Sequence, residues 1–422
     1  MTGIPCLPDS SSMTGNSVIL AFGMTFPNER LFIIPFPFPI KAKWFVLVHG
    51  LFNLLKMQYG SDLEFIHFQF DKLKKDVAGD FEFPIVSVNC SYKKLFIYYY
   101  KYKMHLSIPK DVKYFFDTIK KCDYVVDPFG IRFCDKFTQY KKLPLMFYRY
   151  ILSEFCPFVI CKKMHKKIVK TQCSFGPINN KQTKRVAKYM SKKIYGRIFA
   201  REIESKQFIE NVLKRNDIQV FPDMANAFDV QLKEKANNLV GISISFQVER
   251  QFKTQSYIET MTNICTYLYE KCGKQIRLIP NQTLKNGRDD CLVAKDIFIE
   301  LQKSNIPCEI VDIKTLTSTQ VKQSICECQF VIASRYHSCV AALSSGTPVI
   351  SFGWHHKYLN LLRLYGIEQY VYDVSDFNLK DFLDTIDEVI SSFDSIQKTV
   401  QANAKTVREL VIESSKEFFN EY

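Results

Sequence analysis

An arginine and a histidine stand two residues apart in ASRYHSCVAALSSGTPVISFG (residues 333–353), just after an apolar run and just before a helical pattern. A ligand at such a strand-to-helix junction meets three kinds of group. Backbone N–H groups at positions 337 and 338 open the helix with a partial positive charge, and Ser338 adds its hydroxyl. The guanidinium of Arg335 offers a fork that fits phosphate or carboxylate. The imidazole of His337 can accept or donate a proton. This is the chemistry of a site for a compact anion. A plainer reading stands beside it. Gly346 and Pro348 are ordinary helix-to-strand punctuation, Ala341 and Ala342 pack closely, and a histidine at a strand end often serves structure alone.

For the pair to act, a parallel sheet must hold it, because ligands of such sheets bind beyond the carboxyl ends of the strands. The pattern supplies one. Apolar runs at 239–245, 275–281, 308–313, 329–334 and 349–353 alternate with helical spacing at 254–271, 290–303, 318–327 and 338–345. Earlier in the chain, helices are expected at 45–58, 111–121, 179–195 and 204–215. Strands are expected at 62–70, 123–127 and 196–202, and a strand followed by a loop at 166–176 and again at 218–228. The polar stretch KEKANN (233–238) reads as a linker, and 379–420 reads as helical. The expected fold class is therefore α/β, with two parallel-sheet domains. An irregular segment 1–40 precedes a first domain 41–236 and a second domain 237–378, and C-terminal helices fill 379–422.

The 422 residues are 47% apolar and 24% charged, a globular composition too long for one core. The net charge of +14 suits an anionic membrane face or a phosphorylated substrate. No nucleic-acid-binding motif accompanies the lysine clusters, so nucleic acid is not an expected partner. The 14 cysteines follow no disulfide or zinc-ligand spacing, which points to reduced thiols in the cytoplasm and to no metal site. LFIIPFPFPI (31–40) is broken by three prolines, and WFVLVHGLFNLL (44–55) falls short of the roughly 20 residues that a membrane span needs. Peripheral attachment at the inner membrane face stays compatible with the charge.

Several pieces fall in one order. SRYHSCVAALSSGTPVISFGWHHK carries an Arg-x-His, an alanine-rich helix, Gly-x-Pro, a strand and a lysine. CSFGPI (173–178), IFAREIESKQFI (198–209) with Arg201 and Ser205, PDMANAF (222–228), GISIS (241–245) and LIPNQ followed by Asp289 and Asp290 complete the series. Over about residues 110–370 the chain resembles the polysaccharide pyruvyl transferase family. CDYVVDPFGIRFCD (122–135) takes the place of that family's glycine-rich loop, reduced here to Asp127, Pro128, Phe129 and Gly130. The loop that usually precedes the first helix is not recognisable in PFPFPIKAKWF.

The resemblance implies two Rossmann-like domains facing a cleft, as in GT-B glycosyltransferases. It also implies phosphoenolpyruvate as donor, a sugar or lipid-linked oligosaccharide as acceptor, and no further cofactor. Arg335 would grip the donor's phosphate or carboxylate, with His337 as acid or phosphate ligand and Ser338 beside them. Arg201 would reach the anion from the first domain, and Lys357 with His355 or His356 would close the site. Asp127 and Asp135 are candidates for activating an acceptor hydroxyl near Gly130, although turn formation explains each aspartate as well. Two other readings remain open. A GT-B glycosyltransferase shares the strand–helix–Gly-x-Pro layout, but such enzymes usually carry a glutamate in the helix where this chain has CVAAL. A non-catalytic member of a polysaccharide locus would explain the altered first-domain loops.

Overall fold

The computed structural model describes residues 31–33, 42–59, 64–70, 84–136, 138, 140, 143–214, 216–228, 236–253, 255–282, 287–353 and 356–419. Two all-parallel sheets organise them. The strands of the first are β1 (Leu31–Ile33), β2 (Phe65–Gln69), β3 (Ile85–Ser87), β4 (Tyr124–Asp127), β5 (Ile131–Arg132), β6 (Lys167–Phe175), β7 (Arg197–Ala200) and β8 (Gln219–Val220). Their order is β3-β2-β1-β4-β6-β7-β8, with the short β5 pairing β6. The second sheet holds β9 (Leu239–Ser243), β10 (Gln275–Ile279), β11 (Cys308–Ile310), β12 (Phe330–Ala333), β13 (Val349–Gly353) and β14 (Val371–Asp373), ordered β11-β10-β9-β12-β13-β14. Strands covered on both faces read as unbroken apolar runs rather than alternations. FVIA of β12 is buried throughout, with Ile332 in register with Ile242 on one side and Ile350 on the other.

The expectation of an irregular segment through residue 40 is corrected at Leu31–Ile33. These three residues form a central strand of the first sheet, between β2 and β4. The prolines at 35, 37 and 39 follow this strand instead of interrupting it, so a run too short to read as a strand is one. The sequence pattern also passed over β3 and the helices Tyr92–Lys103, Pro144–Glu154 and Cys156–Lys163. Residues 233–235 of the expected linker fall outside the described residues, and the description resumes at Ala236, whose N–H donates to the Glu327 carbonyl (2.9 Å).

The C-terminal helices divide their packing between the domains. Helix Leu379–Ser391 lies on the second sheet's domain, where Phe382 stacks on Phe352 with ring centroids 4.8 Å apart. Helix Phe393–Phe418 returns to the first domain. There Phe418 packs on Phe199 (5.3 Å), Gln172 Nε2 donates to Ser414 Oγ (2.6 Å), and Tyr124 Oη donates to the Phe419 carbonyl (3.2 Å). Helix Ala42–Tyr59 joins this layer through Leu51, Leu54 and Leu55. Its Gly50 is required by close approach: a Cβ there would stand 2.2 Å from the Met224 carbonyl oxygen. Two further bonds tie the domains, Tyr365 Oη to Asn226 Oδ1 (2.6 Å) and Asn360 Nδ2 to Glu204 Oε2 (2.7 Å).

Candidate active site

The carboxyl ends of β9, β10 and β12 build the second-domain wall. Arg335 follows β12 and is the N-cap residue of helix Tyr336–Leu343; its side chain makes no capping bond and turns instead to Asp290. Asp290 is fully buried at the start of helix Asp290–Lys303, itself capped by Asp289. One carboxylate oxygen takes the Arg335 Nε–H (2.9 Å) and the Asn281 N–H (3.3 Å). The other takes the Phe246 N–H (2.9 Å) and an Arg335 terminal nitrogen. This bidentate pairing fixes the guanidinium plane. Ser338 is fully buried one turn on. Its Oγ accepts from Ser243 Oγ (2.8 Å) and its N–H donates to the Arg335 carbonyl (3.1 Å), so it braces the floor of the junction.

The first-domain wall comes from the ends of β7 and β8. Arg201 follows β7, and Asp223 caps the short helical turn Met224–Ala227 beyond β8. Their side chains, both buried, pair at 3.0 Å. Burial opposes the Arg201 charge, but Asp223 more than offsets it and holds the guanidinium protonated.

The walls meet at Tyr336. The Arg201 guanidinium lies 5.2 Å from its ring centroid and the Lys357 ammonium 5.0 Å, so first-domain and second-domain cations share one aromatic ring. Around them, His337 Nε2 is 3.8 Å from Asp223 Oδ2, and His356 Nε2 is 3.7 Å from Glu202 Oε1. Burial, with the Arg201 charge next in weight, pulls the Lys357 ammonium down to about 8. Burial works against the Glu202 charge, but the nearby His356 and the Arg201 charge hold its carboxyl below the usual value.

The structure thus brings Arg335, His337, Arg201, Lys357 and His356 into one interdomain cluster, with Ser338 beneath it. His355 lies outside the described residues. Asp127 and Gly130 are engaged in contacts within the first domain. Asp127 is fully buried, and its carboxylate accepts from Tyr195 Oη (2.5 Å), Arg132 (3.2 Å) and the Phe129 N–H (3.0 Å), with Lys170 at 3.8 Å. Burial opposes its charge, while Arg132 and Lys170 lower its pKa. The Gly130 carbonyl accepts from the Ser174 N–H (3.0 Å) in the pairing of β5 with β6. Asp135 accepts from the Asn179 and Asn180 N–H groups (2.8 and 3.3 Å), a turn-forming use.

Sequence reasoning missed Asp290, Asp223, Glu202 and Tyr336 as members of the cluster. A signal existed for each: Glu202 and Tyr336 sit next to residues already singled out, Asp223 lies inside the segment PDMANAF, and Asp290 closes the LIPNQ block and opens a helix in the same wall. What the one-dimensional pattern lacked was the pairing across elements. Chemically, the cluster concentrates cations and proton-exchanging groups, which suits a small polyanion that must be held and protonated. Among the described residues, no group of three or more His, Cys, Asp or Glu is arranged to hold a metal ion.

A family model described as polysaccharide pyruvyl transferase matches residues 46–356. The amylovoran biosynthesis protein AmsJ of Erwinia amylovora is 20% identical over 318 residues, which span 70% of this chain and 72% of that protein. Among solved structures, UDP-GlcNAc 2-epimerase from Neisseria meningitidis, bound to UDP-GlcNAc, is similar with a TM-score of 0.53. That match has 9% identity and covers 93% of this chain and 100% of the other. Sucrose-phosphate synthase from Thermosynechococcus elongatus matches with a TM-score of 0.51 and 10% identity, over 92% and 97% of the two chains. These likenesses show the fold: two Rossmann-like domains in the GT-B arrangement, closed by a C-terminal helical segment.

Proposed function

The chain belongs to the polysaccharide pyruvyl transferase family, and from this premise we propose that it moves the pyruvyl group of phosphoenolpyruvate onto a sugar in polysaccharide biosynthesis. The observation that carries the reading is the convergence of Arg201, Arg335, His337 and Lys357 around Tyr336. Phosphoenolpyruvate bears a phosphate and a carboxylate a few bonds apart, so two cationic anchors from opposite walls can bind its two ends at once. Arg335, already oriented by Asp290, and Arg201, oriented by Asp223, are those anchors. Lys357 adds a third positive charge between them.

His337 then delivers a proton to the methylene carbon of the bound enol, with Asp223 facing its Nε2. The resulting oxocarbenium centre is attacked by one sugar hydroxyl, which loses its proton. Departure of inorganic phosphate and attack by a second hydroxyl close the ketal. Each product atom comes from the two substrates, with phosphate as the only other product. The acceptor is a sugar or lipid-linked oligosaccharide, and the place of action is the cytoplasmic side of the membrane.

The test is phosphate release. The purified chain, given phosphoenolpyruvate and a panel of lipid-linked and nucleotide-linked sugars, is expected to liberate phosphate with at least one acceptor. Arg335→Ala and His337→Ala are expected to abolish that release; full activity in both would remove the assignment. The nucleotide-sugar reading is distinguished by thermal shift with phosphoenolpyruvate against UDP- and GDP-sugars. Helix Tyr336–Leu343, YHSCVAAL, offers no carboxylate to a ribose, which favours phosphoenolpyruvate. Donor binding without turnover would mark a non-catalytic member.

A further inference from the structure

The chain's positive charge is unevenly placed. Residues 91–110 hold five lysines and no acid, and residues 136–167 hold seven lysines and one arginine against Glu154 alone. These two stretches therefore carry twelve of the net charge of +14. None of these side chains belongs to the interdomain cluster.

The same stretches expose apolar side chains. Helix Tyr92–Lys103 turns Tyr92, Leu95 and Tyr99 into the first-domain core. Its opposite side leaves Ile97 and Tyr100 exposed among Lys93, Lys94 and Lys101, and Met104 and Leu106 continue the exposure beyond the helix. Helix Pro144–Glu154 packs beside it. At the start of that helix Leu143 and Leu145 stand exposed, Leu145 by 78%, with Tyr148 and Arg149 one turn on. One exposed leucine would be ordinary, but exposed apolar side chains gathered on one face and rimmed by lysines mark an interaction surface.

From this juxtaposition we propose that the face formed by helix Tyr92–Lys103, its extension to Leu106, and the start of helix Pro144–Glu154 docks on an anionic lipid bilayer. The aliphatic tips of Ile97, Met104, Leu106, Leu143 and Leu145 enter the interface. The surrounding lysines and Arg149 meet the lipid phosphates. Charge complementarity selects this occupant. A phosphate-rich surface matches a face whose helix has no acid, and aliphatic tips find an apolar phase there that a nucleic-acid backbone does not offer. No helix among the described residues is long and apolar enough to cross a membrane, so this is attachment at the surface. It would place the first domain against the leaflet that holds a lipid-linked acceptor, but the docking itself does not depend on the transfer reaction.

The experiment is co-sedimentation of the full chain with phosphatidylcholine vesicles, with and without phosphatidylglycerol, at low and high salt. The expected result is pelleting with the anionic vesicles only, weakened by salt. Lys93→Glu and Lys101→Glu together are expected to reduce partitioning by at least tenfold, since one lysine near such a surface is worth about fivefold. Ile97→Ser with Leu145→Ser is expected to reduce the binding that survives high salt. All four positions are exposed, and unchanged circular dichroism and phosphoenolpyruvate-induced thermal shift would show that the fold and the donor site are intact. Equal pelleting with neutral vesicles, no pelleting at all, or variants that bind like the parent would overturn the proposal. So would tighter binding to nucleic acid than to the anionic vesicles, or a dimer in solution that Leu145→Ser dissociates.

Discussion

Arg335 and Asp290 form a two-point pair at the wall of the cleft, with the carboxylate fully buried after β10 and the guanidinium reaching across β9 from the end of β12. The pair explains how an N-cap residue that makes no capping bond is still held in one orientation. It also means that Arg335 reaches a ligand with only part of its fork, and that Asp290 decides which part.

Asp290→Asn keeps the acceptor for the Phe246 N–H but loses the charge and one side of the pair. The expected outcome is a rise in KM for phosphoenolpyruvate of at least tenfold, with a smaller change in kcat, and a stability cost of about 1–3 kcal/mol from the weakened buried bonds. Arg335→Lys is expected to rescue little, because an ammonium cannot span both carboxylate oxygens and a ligand. Steady-state kinetics and chemical denaturation check both. A variant with parental KM would make Asp290 a purely structural partner.

Arg201 and Asp223 are a buried pair from two successive strand ends. Removing one partner strands the other's charge, so Arg201→Ala and Asp223→Ala are each expected to destabilise by about 3–5 kcal/mol. The double variant is expected to cost less than the sum. A double-mutant cycle measures the difference, and strict additivity would mean that the two charges are not coupled. Activity is expected to vanish in every variant lacking Arg201.

Lys357 supplies the pH dependence. Its ammonium, pulled down to about 8 by burial and then by Arg201, is charged below that pH and neutral above it. Donor binding gains from the charge, so kcat/KM for phosphoenolpyruvate is expected to fall as pH rises through about 8, by up to about tenfold per pH unit. Lys357→Met is expected to bind the donor weakly at every pH and to lose this limb, and its persistence in the variant would assign the titration to another group. In the empty protein the sign reverses. The lowered pKa makes the charged form a cost, so ligand-free stability is expected to rise between about 8 and the ordinary lysine value of 10.5.

Much of this arrangement is legible in the chain. The strand at 329–334, the Arg-x-His junction and the Gly-x-Pro turn announce themselves because fully buried parallel strands are unbroken apolar runs and their ends carry the chemistry. Arg201 is recognisable by its place in an ordered series of motifs. Asp290 and Asp223 stand in the same series, but their pairing with Arg335 and Arg201 is not legible, because an ion pair between strand ends depends on sheet order, which local spacing does not encode. Asp127 shows the same limit. A loop aspartate beside a glycine looks available, and only the approach of Arg132, Lys170 and Tyr195 from other segments shows that it is sealed. Leu31–Ile33 escaped because a three-residue strand flanked on both sides needs no length of its own.

The return of helix Phe393–Phe418 to the first domain yields the last prediction. Phe418 is fully buried against Phe199, and Gln172 and Tyr124 bond to the same end of the helix. The chain thus returns from the second domain to the first through this helix, and that crossing clamps the walls that bear Arg201 and Arg335. Phe418→Ala is expected to cost about 3–5 kcal/mol, as for other large buried aromatics. Tyr124→Phe, which removes the bond to the Phe419 carbonyl and the long one that Lys167 Nζ donates to the same hydroxyl (3.4 Å), is expected to cost about 0.5–1.5 kcal/mol. Because the two walls bind opposite ends of one small donor, loosening the clamp is expected to raise KM for phosphoenolpyruvate more than it lowers kcat. Hydrogen exchange along 393–418 is expected to slow when the donor binds in the parent chain. Unchanged exchange would show that this helix anchors the first domain without sensing the cleft.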